Sequence, residues 1–460
     1  MDAFESYFQS LKKKKIAVLG LGVSNRPLVR LLLEFGCDVV GCDKTPREKL
    51  DDEVLALEAA GCKLHVGEGY LDGVQADVVF RTPGMHPGNP AIQALKSRGA
   101  RITSEMEVFF EVCPCHLIAV TGSDGKTTTT TLVSEMLKAS GKTVWLGGNI
   151  GHPLLCDTPK MKPEDYAVLE LSSFQLMTMR RSPAIAVVTN LSPNHLDVHK
   201  SYQEYIEAKE NVFLHQGKGG VTVFNADNED SRASARKAPG EVRWFSRQGR
   251  VENGVFLEDG VLYQAEGGSV TPILPISDIA LPGMHNVENY MAAFAAVRGL
   301  VSAETMDAVA RNFHGVEHRI ERVRVRRGVR WYNDSIASSP SRTIAGLRSF
   351  TEKVILIAGG KDKGISYDAI GPEINEHVKY LILCGATAGV IRESVLKAAN
   401  YAGLPIREVQ DYHEAVALAD EVSGEGDVVI LSPASTSFDR FANFMERGRV
   451  FKDIVNALPE

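Results

Sequence analysis

Leu117-Ile118-Ala119-Val120-Thr121-Gly122-Ser123-Asp124-Gly125-Lys126-Thr127-Thr128 decides how the chain is read. An apolar run makes a strand, two glycines make a turn, and Lys-Thr opens a helical stretch. That order cradles phosphate. Backbone N–H groups at a helix start point at an anion, a lysine adds a point charge, and a threonine hydroxyl can complete a Mg2+ shell. Val120 stands where the standard loop has its first glycine, so Gly122 and Gly125 form a shorter loop. The plain alternative is a surface turn that happens to read Gly-Lys-Thr; the strand before and the helix after favour phosphate.

Downstream, Tyr166-Ala167-Val168-Leu169-Glu170 is an apolar strand ending in a carboxylate, where a Mg2+-linked acid belongs in a nucleotide-hydrolysing core. Ser172 and Ser173 follow without the glycines of a nucleophile elbow. Ala186-Val187-Val188-Thr189-Asn190 leads to His195, which lies just beyond a strand end on the loop side. His199 is four residues on, but Leu196 replaces the Glu of H-E-x-x-H, so His199 reads as a cap or a solvated histidine. From spacing alone Lys209, on the next helix, reads as part of a solvated face.

Upstream, Ile16-Ala17-Val18-Leu19 is a strand, its helix runs through Leu33 and stops at Gly36, and Asp38 to Cys42 is a second strand. Between them, Asn25 sits where a dinucleotide fingerprint wants its third glycine, while Asp43 is placed to meet a ribose hydroxyl. A nicotinamide enzyme, another nucleotide-like ligand near Arg81-Thr82-Pro83-Gly84, and a ligand-free βαβ unit all stay open. In the middle of the chain, Val255 to Tyr263 alternates around Asp259-Gly260, a hairpin signal. Strands at 329–332, 354–357, 380–383 and 428–431, separated by helical stretches, form a third block. The class is therefore α/β with largely parallel sheets, and boundaries fall near 104 and 315.

The 460 residues suggest about three domains. Hydrophobic residues make up 44% and charged ones 24%, which excludes disorder as the main state. Lys plus Arg is 51 and Asp plus Glu is 58, giving −7, an acidic balance that argues against a nucleic-acid partner. No apolar run approaches the ~18 residues of a membrane span, and the N-terminus shows no secretory signal. Seven scattered cysteines without paired C-x-x-C blocks read as reduced thiols in a cytoplasmic enzyme.

Thr121 to Thr127, Glu170-Leu171-Ser172-Ser173-Phe174-Gln175-Leu176, Asn190 to His195, Gly283-Met284-His285-Asn286-Val287-Glu288-Asn289, His318-Arg319 and Asn333-Asp334-Ser335 occur together in that order. In this the chain resembles the Mur ligases, ATP-dependent amide ligases of bacterial peptidoglycan synthesis. The last block, Leu431 to Phe441 through Phe444 and Arg447-Gly448, is similar to the D-glutamate-adding branch. The Asp-Asn-Pro-Arg signature of the diaminopimelate- or lysine-adding branch does not occur.

The resemblance implies a Rossmann-like UDP-sugar domain over 1–104, a central P-loop ATPase over 105–314 and a Rossmann-like amino-acid domain over 315–460. It demotes the nicotinamide reading. It implies UDP-N-acetylmuramoyl-L-alanine, D-glutamate and ATP as substrates, reacting through an acyl phosphate, and a monomer is expected. Gly122, Ser123, Asp124, Gly125, Lys126, Thr127, Thr128, Asn286 and Asn289 would bind ATP, with Arg319 and Asp334 reaching it from the third domain so that ATP helps close the enzyme. Thr127 and Glu170 would hold one Mg2+, and His195 would help hold a second. Lys209 matches the family's carbamylated lysine, an anion where an ammonium would be repelled by two metal ions. Ser24, Asp43, Lys44 and Gly84 are candidates for the uridine diphosphate, Asn149 and Ser172 for the muramoyl end. Lys363, with Lys361 as a nearby competitor, would meet the D-glutamate side chain, with Ser437, Phe438 and Phe444 completing that pocket. One departure stands out: many relatives have Lys after Asn-Asp-Ser, and here it is Ile336, with Arg342 a candidate to supply the lost cation. Two alternatives remain, a related ligase for another amino acid or acceptor, such as the alanine-adding or folylpolyglutamate type, and a non-catalytic P-loop nucleotide binder.

Overall fold

The computed structural model describes residues 2–22, 24–195, 198–281, 283–362 and 364–459. Apolar strands alternating with helices force crossover connections, and these give parallel pairing in three sheets. In the first, β1 (Lys15–Leu19), β2 (Asp38–Asp43), β3 (Lys63–Val66), β4 (Val78–Arg81) and β5 (Arg101–Thr103) take the order β3-β2-β1-β4-β5, all parallel. The order reverses between β1 and β4, so the ends of those strands frame a crevice of the kind that takes nucleotides.

The second sheet has β6 (His116–Thr121), β7 (Val144–Gly148), β8 (Tyr166–Glu170), β9 (Ile185–Val188), β10 (Val221–Asn225), β11 (Glu241–Ser246), β12 (Gly254–Glu258), β13 (Val261–Glu266) and β14 (Ser269–Pro275). Its order is β14-β13-β12-β11-β10-β9-β6-β8-β7, antiparallel only at β12-β13-β14. Asp259 (φ 48°) and Gly260 (φ 75°) join β12 to β13, both left-handed, as a tight Asp-Gly hairpin turn requires.

The third sheet consists of β15 (Glu321–Arg326), β16 (Val329–Asn333), β17 (Val354–Ala358), β18 (Val378–Cys384), β19 (Ile406–Val409) and β20 (Val428–Leu431). The order is β15-β16-β20-β17-β18-β19, parallel except for β15. Side chains alternate across it: Leu356, Leu381 and Ile430 enter one core, while Ile355, Ile357, Val429 and Trp331 enter the other.

Residues 1–279 with 284–311 form one compact unit and residues 280–283 with 312–460 the other. In the first unit, one continuous core joins Phe8, Leu32 and Val78 to Phe109, Leu154, Leu169 and Phe224, so helix Glu105–Val112 is packed between two sheets. All seven cysteines are free thiols. No helix among the described residues is long and apolar enough to cross a membrane.

Candidate active site

Because β6 lies between β8 and β9, the residues that follow these three strands meet along one sheet edge. The loop after β6 is pinned there. Gly122 (φ 146°) and Gly125 (φ 77°) hold backbone conformations that other residues avoid. A Cβ on Gly122 would strike Thr189, and one on Gly125 would strike the Asn289 amide. Thr189 Oγ1 donates to the Asp124 carbonyl at 2.6 Å, and the Asp124 N–H donates to Asn190 Oδ1 at 3.0 Å. Ser123 Oγ bonds Tyr205 OH at 2.9 Å and donates to the Ser192 carbonyl at 2.9 Å. Helix Lys126–Ala139 starts directly behind, with Thr128 buried in its first turn, so its N-terminal dipole faces the loop. Asn289 accepts from Thr129 Oγ1 at 3.3 Å and donates to Asn286 Oδ1 at 3.2 Å, tying helix Met284–Val297 to the cradle.

Two lysines converge on one carbonyl. Lys126 Nζ donates to Gly122 O at 3.0 Å and Ser123 O at 2.9 Å. Lys209 Nζ donates to the same Gly122 O at 2.7 Å and to Thr121 Oγ1 at 3.3 Å, 4.7 Å from the Tyr205 ring centroid. Lys209 is only 2% exposed, so it is no solvated-face residue, contrary to what spacing alone suggests. Burial holds its ammonium well below the usual lysine range and Lys126 pushes the same way, against the pull of Glu170 and Asp124. Tyr205 and Lys209 are four apart on helix Tyr202–Glu210 and so share a face, a signal present in the sequence.

Glu170 ends β8, buried, and both its oxygens are held: Thr127 Oγ1 donates to Oε2 at 2.6 Å and Asn149 Nδ2 to Oε1 at 2.8 Å. A hydroxyl beside a carboxylate is the hard-oxygen pair that suits Mg2+, which takes its remaining ligands from water and phosphate. Among the described residues no group of three or more His, Cys, Asp and Glu converges. The donors present fit a phosphate-bound ion rather than an all-protein cage.

His195 is exposed, with φ 54° and its ring edge-on to Phe174 at 5.1 Å. Such backbone in a non-glycine residue clusters at functional sites. His199 corrects the cap-or-solvent expectation. It is 2% exposed, bonds Ser173 Oγ through Nε2 at 2.9 Å and stacks on Phe174 at 5.3 Å, because residues before helix Tyr202–Glu210 fold over helix Ser173–Leu176. Burial holds its imidazole below its ordinary value. The Ser172 hydroxyl is engaged in a capping box with Gln175.

At the first sheet's crevice, Asp43 accepts from the Leu21 N–H at 2.8 Å and the Thr45 N–H at 2.9 Å. Burial pushes its carboxyl up, but those bonds outweigh it and leave it below its ordinary value. Ser24, Lys44 and Gly84 are exposed along the same edge. Asn25 is buried and donates to Gly20 O at 2.8 Å, so a side chain braces the turn where a dinucleotide fingerprint would have a glycine.

In the second unit, Asp334 is buried; it accepts from Ser432 Oγ at 2.7 Å and the Ile320 N–H at 3.3 Å, with the Arg319 charge acting on it. Burial pushes its carboxyl up to about 7. Arg342 donates to the Ile336 carbonyl at 3.2 Å, which puts a cation beside Ile336. Lys361 and Thr436 pair through their backbones at 2.9 and 3.1 Å, setting buried Ser437 beside the 359–361 turn. Phe438 is 63% exposed, and Phe444 meets His318 edge-on at 5.8 Å. Lys363 lies outside the described residues.

The family model described as Mur ligase middle domain matches residues 120–297, and that described as Mur ligase, glutamate ligase domain matches 318–435. The UDP-N-acetylmuramoylalanine–D-glutamate ligase of Acetivibrio thermocellus is 52% identical over 455 residues, 98% of each chain. The protein of the same name from Clostridium acetobutylicum is 48% identical, covering 99% of each. Among solved structures, UDP-N-acetylmuramate-alanine ligase MurC of Thermotoga maritima shares the fold at TM-score 0.56 and 18% identity, over 96% of this chain and 99% of that one. MurF of Acinetobacter baumannii does so at 0.57 and 16%, over 99% and 98%. With a short glycine loop backed by a buried carboxylate and a buried lysine, both family models matched, and about half identity to a relative over its full length, the chain belongs to the Mur ligase family.

Proposed function

We propose that the chain joins D-glutamate to UDP-N-acetylmuramoyl-L-alanine at the expense of ATP, a step in making peptidoglycan precursors in the cytoplasm. The observation that carries this is the 52% identity to a ligase of that name along 98% of both chains. On this reading the enzyme acts as a monomer with three functional parts, 1–104 for the UDP-sugar, 105–314 for ATP and 315–460 for the amino acid.

The chemical problem is to bring a carboxylate to a polyanion. The alanyl carboxylate oxygen bonds to the γ-phosphorus as ADP leaves; the D-glutamate nitrogen then bonds to the acyl carbon, phosphate leaves, and the nitrogen loses a proton. Lys126 and the N–H groups at the start of helix Lys126–Ala139 offset the repulsion and stabilise charge on the transferring group. Thr127 and Glu170 would hold one Mg2+, and His195 with a Lys209 carbamate a second; bound there, the ions supply Lewis-acid neutralisation of phosphate and carboxylate oxygens. Carbamylation needs an uncharged amine to attack CO2, losing a proton, and the low proton affinity of Lys209 supports it. Asn286, Asn289, Arg319 and Asp334 are read as nucleotide contacts. Ser24, Asp43, Lys44, Gly84, Asn149 and Ser172 are read as acceptor contacts, and Lys363, Ser437, Phe438 and Phe444 as D-glutamate contacts.

A coupled phosphate-release assay tests the assignment. Release should require ATP, Mg2+, the UDP-sugar and D-glutamate together. Rapid turnover with L-alanine or D-alanine and none with D-glutamate would overturn the choice of amino acid. Nucleotide binding without stimulated release would leave only a binding module.

A further inference from the structure

Arg81 ends β4 at the rim of the crevice and is 1% exposed. A buried guanidinium at such a rim invites assignment as a phosphate ligand, yet both terminal nitrogens are spent within the protein, and only Nε, itself buried, has no hydrogen-bond partner among the described residues. Nη1 donates to the carbonyls of Thr82 at 3.2 Å, Pro83 at 3.0 Å and Met85 at 2.7 Å. Nη2 donates to the Phe174 carbonyl at 3.3 Å and to Thr178 Oγ1 at 3.2 Å. The acceptors therefore belong to two places, the turn over 82–85 that carries Gly84, and the segment containing helix Ser173–Leu176. Phe174, at the far end, stacks on His199 and meets the His195 ring. The charge of Glu107, on helix Glu105–Val112, faces Arg81 and offsets part of its burial. A weaker tie runs alongside: His86 Nε2 lies 3.5 Å from Glu204 Oε2, on the helix that carries Tyr205 and Lys209.

We infer that Arg81 is a positioning residue that locks the acceptor-binding turn to the Phe174–His195 side of the phosphate site, so that seating the UDP end sets the reacting carboxylate against the cradle. The Thr82 carbonyl keeps the Met85 N–H when the guanidinium is removed, but those of Pro83 and Met85 lose the donor they share, and the turn must then rearrange. A planar fork reaches acceptors on both segments at once, which a lysine cannot. The inference rests on the ligase reading.

The test is steady-state kinetics of Arg81→Met, Arg81→Lys and Thr178→Val, with ADP and UDP-sugar binding measured separately by calorimetry. Expected is a rise in acceptor KM of about tenfold or more for Arg81→Met and a fall in kcat. ADP affinity should stay within about twofold, Arg81→Lys should recover part of the loss, and Thr178→Val should raise acceptor KM by a smaller factor in the same direction. Unchanged acceptor KM in a folded Arg81→Met overturns the inference. So does equal weakening of ADP and acceptor together with a lowered melting temperature, which marks a merely structural residue. If Arg81→Met does not fold, Arg81→Lys and Thr178→Val decide on the same criteria. Failure of the ligase reading looks different: the unaltered protein would release no phosphate in response to acceptor and D-glutamate, and UDP-sugar binding by the variants would still decide the role of Arg81.

Discussion

Enclosing Lys209 among Thr121, Gly122 and Tyr205 sets a chemical condition as well as a packing one. Burial and the neighbouring Lys126 favour the uncharged amine, the form that can take up CO2 and become an anion beside a cation. Lys209→Ala should therefore lose activity by roughly 10²-fold or more, with short-chain carboxylates such as acetate restoring part of it in the phosphate-release assay; no restoration counts against the carbamate. Asp334 makes a second prediction at this scale. Its carboxyl is raised to about 7 from an ordinary value near 3.8, so the folded chain keeps a proton that the unfolded chain gives up. Stability from this group is full below about pH 4 and is lost as pH rises through about 7, by at most about 1.4 kcal/mol per unit. Asp334→Asn should flatten that fall, read as a smaller difference in melting temperature between pH 5 and pH 8 than the unaltered protein shows. An equal difference would place the pH dependence elsewhere.

Strand, loop and helix act as a unit only because the loop is short and left-handed at Gly125. Gly125→Ala should cost about 1–2 kcal/mol of backbone strain and push the new methyl against Asn289, so ADP binding by calorimetry should weaken by more than tenfold. Gly84→Ala is the control, since a Cβ there meets nothing within 4 Å, and its melting temperature should be unmoved. The cradle was legible in the sequence for the same local reason: the glycines, Lys126 and Thr127 are consecutive, and hydrophobic runs mark the strand before them. The Asp259-Gly260 hairpin was legible likewise. What spacing could not show was long-range. Nothing local says that His199 lies under Phe174, that Tyr205 reaches Ser123, or that Arg81 grips a segment more than ninety residues away. Each depends on which strands become neighbours, and β6 between β8 and β9 is a property of the sheet.

For the chain as a whole, the resemblance of ordered motifs carried what periodicity could not. Six separated segments fixed the family where one phosphate loop was compatible with a binding module, and the full-length relatives agree with that reading. An amide ligase and a non-catalytic nucleotide binder would both pass a nucleotide-binding assay, and the fate of one oxygen atom separates them. If the acceptor carboxylate attacks the γ-phosphorus, one of its oxygens must leave with phosphate when the amine displaces it, since the new amide keeps only the other. Acceptor labelled with oxygen-18 in that carboxylate should therefore transfer one labelled oxygen to each orthophosphate formed, detected by mass spectrometry of the quenched mixture. Transfer should require D-glutamate for turnover and should be lost in step with activity in Lys126→Ala, whose cation offsets the repulsion between the two anions. Orthophosphate with three oxygens from ATP and its fourth from solvent, none from the acceptor, would mean that water, and not the carboxylate, takes the phosphoryl group, and the proposed chemistry would have to be abandoned even if ATP and the UDP-sugar both bind.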